Sequence, residues 1–180
     1  MRAPGLPLVS VMGAMLLALS PHARAGGLSR MCGYCQMSVG VGDTYRFWAR
    51  TGGIVVPVTF TWDRDRYELG VFRFATRQEL EYQDREPDRR VAGPYWGFSA
   101  SRRWELFGPP AARFFIALGA SYKTETDELN STHLNFGGQL GVRFGLARGN
   151  DLELCLRHWS NAGLRLPNHG QDFLTLSYVF

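Results

Sequence analysis

The chain has 180 residues, 20 basic against 16 acidic, a formal net charge of +4, 13% aromatic residues and 21 glycines. This excludes a disordered chain and a helical bundle, and it suits many strands joined by turns. The charge is modest, two of its arginines, Arg2 and Arg24, lie in the first 25 residues, and nothing in the chain resembles a nucleic-acid module. Lys123 is the only lysine, and the arginines offer bidentate forks for phosphate, so anionic lipid headgroups suit the composition. A coding bias that favours arginine explains the same numbers equally well.

The N-terminus reads as an address. Met1-Arg2, an apolar stretch from Leu6 to Leu19 and Ala23-Arg24-Ala25 form a Sec-type signal peptide over residues 1–25, which leaves a mature domain over 26–180. The apolar stretch is too short for a membrane anchor, and Pro7 and Gly13 break it. About 155 residues remain, enough for one closed domain. Cys32-Gly33-Tyr34-Cys35 lacks the βαβ context of a redox pair and the further ligands of a zinc site, which leaves a local disulfide or two inert thiols.

From about Asp43 the chain alternates with period two. Strands are expected near 44–52, 54–63, 67–77, 94–107, 113–123, 133–146, 150–160 and 172–180. Val56, Val58, Phe60 and Trp62 oppose Pro57, Thr59 and Thr61. Phe114, Ile116, Leu118, Ala120 and Tyr122 oppose Phe115, Ala117, Gly119 and Ser121. Phe136, Leu140, Val142 and Phe144 oppose Asn135, Gly137, Gln139, Gly141 and Arg143. One face is apolar and aromatic, and the other is rich in Gly, Ser, Thr, Gln and Arg. The fold class expected is therefore all-β, an eight-stranded antiparallel transmembrane barrel whose apolar face meets lipid and whose narrow interior is polar. Two connections, Gln78–Gly93 and Lys123–Thr132, are longer than tight turns, and the densely charged first one reads as a solvated loop. The last strand, ending on Phe180, resembles the terminal signal of bacterial outer-membrane barrels, which implies a periplasmic C-terminus.

Strand parity then places the polar residues near the C-terminus. Leu152, Leu154 and Leu156 share a face with His158 and Ser160, and Leu174, Leu176, Tyr178 and Phe180 share one with Asp172. A hairpin joining the two strands puts Asp172 beside His158, and all three polar groups point toward lipid. Such groups are costly there unless they pair or work.

His158-Trp159-Ser160-Asn161-Ala162-Gly163, the following Pro167-Asn168-x-Gly170 and Asp172 resemble the lipid A 3-O-deacylase (PagL, acyloxyacyl hydrolase) family, closely over about 30 residues. The resemblance implies a bacterial outer-membrane enzyme with its site toward the outer leaflet, acting on lipid A of lipopolysaccharide without a metal or other cofactor. By the same likeness Ser160 is the nucleophile, His158 the base and Asp172, where the family usually has glutamate, the acid. Asn161, with backbone amides near Ala162 and Gly163, stabilises the oxyanion, and Arg165 is either a phosphate contact or merely solvated. The reaction implied removes the ester-linked 3-hydroxyacyl chain at the 3-position. Competing readings are a phospholipase or acyltransferase using the same serine, a non-catalytic barrel, and a soluble periplasmic sandwich. A monomer and a homodimer both remain open.

Overall fold

The structure, a computed structural model, describes residues 35–45, 53–75, 94–109, 111–126, 130–146 and 149–180. Within them eight strands follow in order: β1 (Cys35–Tyr45), β2 (Ile54–Trp62), β3 (Tyr67–Phe74), β4 (Tyr95–Phe107), β5 (Ala112–Lys123), β6 (Leu134–Gly145), β7 (Asp151–Ser160) and β8 (Gln171–Val179). Each pairs antiparallel with the next, and β1 pairs with β8 to close a barrel. The barrel has no free edge, so its strands leave no row of backbone groups for another chain to pair with.

The first strand differs from the expectation. It runs over Cys35–Tyr45 and not 44–52; residues 46–52 lie outside the described ones. Its inward face is Ser38, Gly40 and Gly42, too small to announce a strand. The small size is required by the closure. A Cβ at Gly42 would lie 2.8 Å from Thr175 Cγ2 on β8. Cys35 is disulfide-bonded, and Cys32 and the signal region fall outside the described residues, as does the Gln78–Gly93 connection.

The alternation expected for the other strands holds. On β2, Val55, Pro57, Thr59 and Thr61 are buried inward while Val56, Val58, Phe60 and Trp62 face out. Leu69, Trp96, Leu118, Phe136, Leu140 and Leu174 are among the exposed large apolar residues of the outer wall. So large an apolar surface is what a barrel presents to lipid and not to water.

The interior is polar only in part. Toward the end that carries the β2–β3 and β4–β5 turns, Glu68 and Glu153 are shared among Arg103, Arg143 and Arg157 at 2.7–3.0 Å. Toward the opposite end the interior is filled by Val55, Phe72, Phe74, Tyr95, Trp159 and Phe173. The expectation of a polar interior thus holds for one half of the barrel and is corrected for the other. β3 looks least regular in sequence because Phe72 and Phe74 make its inward face as apolar as its outward one. This aromatic plug lies directly beneath the outward residues of β7 that the sequence singles out.

Candidate active site

His158 and Asp172 are direct cross-strand partners in the β7–β8 ladder. Partners across an antiparallel pair bring their Cβ atoms within about 5.5 Å, so a short side chain reaches an imidazole without help. His158 Nδ1 lies 2.7 Å from Asp172 Oδ1. A carboxylate only accepts, so this bond makes Nδ1 the protonated ring nitrogen and leaves Nε2 as the base. The imidazole is half exposed at 51%, while the Asp172 side chain is 17% exposed. Both stand on the outer wall, at the end opposite the β2–β3 and β4–β5 turns.

Ser160 follows two residues later on the same face, paired with Phe136 of β6. Between them Trp159 points inward and packs edge-on against Phe72 at 5.1 Å and Phe173 at 5.0 Å. A Cβ at Gly97 would fall 2.7 Å from the Trp159 ring, so β4 needs glycine there to admit the indole. The buried tryptophan therefore pins the backbone on which the two outward side chains are mounted. Among the described hydrogen bonds none joins Ser160 Oγ to His158; a bond of this kind tightens when substrate arrives.

The loop after Ser160 is tied down by its own side chains. Asn161 is buried, its Nδ2 donates to the Arg165 carbonyl at 2.7 Å, and its Oδ1 accepts from the Gly163 amide at 3.0 Å. Its backbone amide donates to Asn168 Oδ1 at 3.0 Å. Asn161 is therefore the keystone of the loop, with its amide group already engaged. Ala162 (φ 52°) and Gly163 (φ 80°) are left-handed, and Ala162 is a strained position for a residue with a Cβ. Arg165 is exposed, its carbonyl held from both sides by Asn161 and by Ser131 Oγ at 3.2 Å.

Three residues that the sequence shows within its motifs, but to which it assigns no role, also belong here. Asn168 orients the Asn161 amide and bridges to Asn130. Gly170 has φ 71°, and a Cβ there would fall 2.5 Å from His158 Cε1. Trp159 is the third. The Pro167-Asn168-x-Gly170 spacing was visible, but nothing local says that its glycine faces a histidine twelve residues back. Among the described residues no cluster of His, Cys, Asp or Glu could hold a metal.

Comparison with known proteins places this arrangement. Residues 53–180 match the family described as lipid A 3-O-deacylase (PagL). The chain is 31% identical to the lipid A deacylase PagL of Bordetella bronchiseptica over 105 aligned positions, covering 50% of this chain and 59% of that relative, less than two thirds of its length. Among solved structures, the outer-membrane enzyme PagL superposes with a TM-score of 0.54 at 22% identity, covering 81% of this chain and 98% of the other. Neisserial surface protein A does so with a TM-score of 0.51 at 12% identity, covering 81% and 93%. At these identities the two structures speak for the barrel fold. The family match spans seven of the eight strands and the whole candidate site, and the chain belongs to the lipid A 3-O-deacylase (PagL) family.

Proposed function

We propose that this protein is an outer-membrane esterase that removes the ester-linked 3-hydroxyacyl chain at the 3-position of lipid A, with Ser160, His158 and Asp172 as its triad and its site toward the outer leaflet. The observation that carries the reading is the 2.7 Å pair of His158 Nδ1 and Asp172 Oδ1 on a predominantly apolar outer wall, with Ser160 next on the same face. A carboxylate and an imidazole facing lipid cost free energy, and catalysis at a lipid ester gives them a reason to be there. Residues 1–25 are the export signal in this reading, and Arg165 offers its exposed guanidinium to a lipid A phosphate.

The chemistry is acyl transfer in two steps. Ser160 Oγ attacks the ester carbonyl as Nε2 of His158 takes its proton, and Asp172 holds the ring in the tautomer that allows this. The tetrahedral oxyanion needs N–H donors. Asn161 Nδ2 and the Gly163 amide already donate within the loop, so the Ala162 amide is the donor that needs no rearrangement. The imidazolium then protonates the departing sugar oxygen. Water, activated by the same histidine, hydrolyses the acyl-serine to free 3-hydroxy acid. No metal or organic cofactor enters these steps.

Purified protein in detergent is incubated with lipopolysaccharide, and the lipid A is read by mass spectrometry. Ser160→Ala abolishes release of the 3-hydroxy acid while the heat-modifiable gel mobility of a folded barrel persists. Asp172→Asn lowers kcat by about 100-fold or more, because the amide cannot stabilise the imidazolium. Unchanged release by Ser160→Ala sinks the mechanism, and release of a fatty acid from phospholipid instead points to a phospholipase.

A further inference from the structure

The outward face of β6 carries Leu134, Phe136, Leu140, Val142 and Phe144, interrupted at one position by Gly138. Backbone geometry does not demand a glycine there. The described glycines with positive φ are Gly108, Gly149, Gly163 and Gly170. Packing does not demand it either. A Cβ added at Gly138 meets only Leu118 Cδ2, at 4.0 Å, an ordinary contact distance. Two lumen glycines behave in the opposite way: at Gly119 an added Cβ would lie 2.6 Å from Ser101 Cα, and at Gly141 2.5 Å from Phe115 Cε1. Those glycines are dictated by their neighbours inside the chain. Gly138 is dictated by nothing inside it.

What the bare position leaves is a notch in the lipid-facing wall, and its place is specific. Gly138 pairs directly with His158 across β6 and β7, and with Leu118 across β5 and β6. One residue pair further along the wall, Ser160 sits beside Phe136, which in turn faces Ala120. The notch therefore opens against the imidazole and is walled by Leu118, Phe136 and Leu140, at 60%, 56% and 52% exposure. An apolar-walled recess touching the base of the dyad suits a polymethylene chain that leads away from a carbonyl at Ser160.

We propose that Gly138 is a specificity-determining position: its missing side chain makes room for the part of the acyl chain that extends beyond the length of a butyryl group, so that the enzyme prefers long acyl groups. This deepens the esterase reading and rests on it. A larger residue would fill the notch and displace the chain while leaving Ser160, His158 and Asp172 in place.

The test compares Gly138→Ala and Gly138→Leu with the unaltered protein on p-nitrophenyl butyrate, p-nitrophenyl dodecanoate and lipopolysaccharide. Each methylene displaced from the notch into solvent lowers kcat/KM by about fourfold. Gly138→Ala, whose Cβ fits without a clash, is expected to lower the dodecanoate-to-butyrate ratio of kcat/KM by about fourfold. Gly138→Leu is expected to lower it by more than tenfold and to slow lipid A deacylation in parallel, with butyrate turnover within about twofold of the unaltered protein. An unchanged ratio in both variants overturns the proposal, and so does an equal loss on the short and long esters. Ser160→Ala run alongside separates the two levels of the reading. If it still cleaves all three substrates, the esterase assignment fails. If it is inactive while the Gly138 ratios do not move, only the notch fails.

Discussion

The imidazole of His158 has two close neighbours that do different things to it. Asp172 orients it through Nδ1 at 2.7 Å, and Gly170 lies where an added Cβ would fall 2.5 Å from its Cε1. The family's usual glutamate is not needed here, because the ladder places Asp172 directly opposite His158 and the register supplies the reach. The close approach of the glycine predicts a separable defect. Gly170→Ala costs about 1 kcal/mol for placing a Cβ at positive φ and also pushes the ring off its line. Gly149→Ala, at φ 78° in the β6–β7 turn with nothing within 4 Å, carries the first cost alone. Both variants are expected to lose similar stability in urea, whereas only Gly170→Ala loses kcat, by at least tenfold. The same split should appear in the rate at which a fluorophosphonate labels Ser160. Equal activities in the two variants would remove Gly170 from the site.

At the scale of the element, β7 does two jobs in alternate residues. Its outward positions run from the apolar wall at Leu152, Leu154 and Leu156 to the proposed catalytic residues His158 and Ser160. Its inward positions run from charge at Glu153 and Arg157 into the aromatic plug at Trp159. The strand is anchored from below at the residue between its two proposed catalytic side chains. Trp159→Ala would leave a cavity bordered by Phe72, Phe74 and Phe173 and cost about 3–5 kcal/mol. Urea titration followed by gel mobility checks the stability. The folded fraction should also lose kcat, because the backbone carrying His158 and Ser160 is no longer held. Retained kcat in folded Trp159→Ala would show that the plug serves stability alone.

At the scale of the molecule, the polar half of the lumen ties distant strands together. Glu153 Oε2 accepts from Arg103 Nη2 at 2.8 Å and from Arg143 Nε and Nη2 at 3.1 and 2.8 Å. Glu68 accepts from Arg103, Gln139 and Arg157. Removing one carboxylate leaves buried guanidinium groups without their counter-charge. Glu153→Gln is therefore expected to destabilise the barrel by about 3–5 kcal/mol in urea. Glu153 itself lies five residues from His158 along β7, toward the opposite end of the barrel, so the folded fraction should keep its kcat. A matching loss of kcat would tie the cluster to the site.

Much of this was legible in the sequence because side-chain direction in a strand is a local property. Period two alone separated the lipid-facing set from the lumen set, and it placed His158, Ser160 and Asp172 together on the outer wall before any side-chain pairing was known. The first strand escaped because its inward face is Ser38, Gly40 and Gly42, whose small size answers to β8 at the far end of the chain. The same limit hid the aromatic half of the lumen, which depends on which strands face each other across the barrel. It hid the engagement of the Asn161 amide, the closeness of Gly170 to His158 and the notch at Gly138 as well. Alternation is written residue by residue. Register, closure and the space left between side chains arise only when strands distant in sequence are brought side by side, and those decide what the dyad can reach.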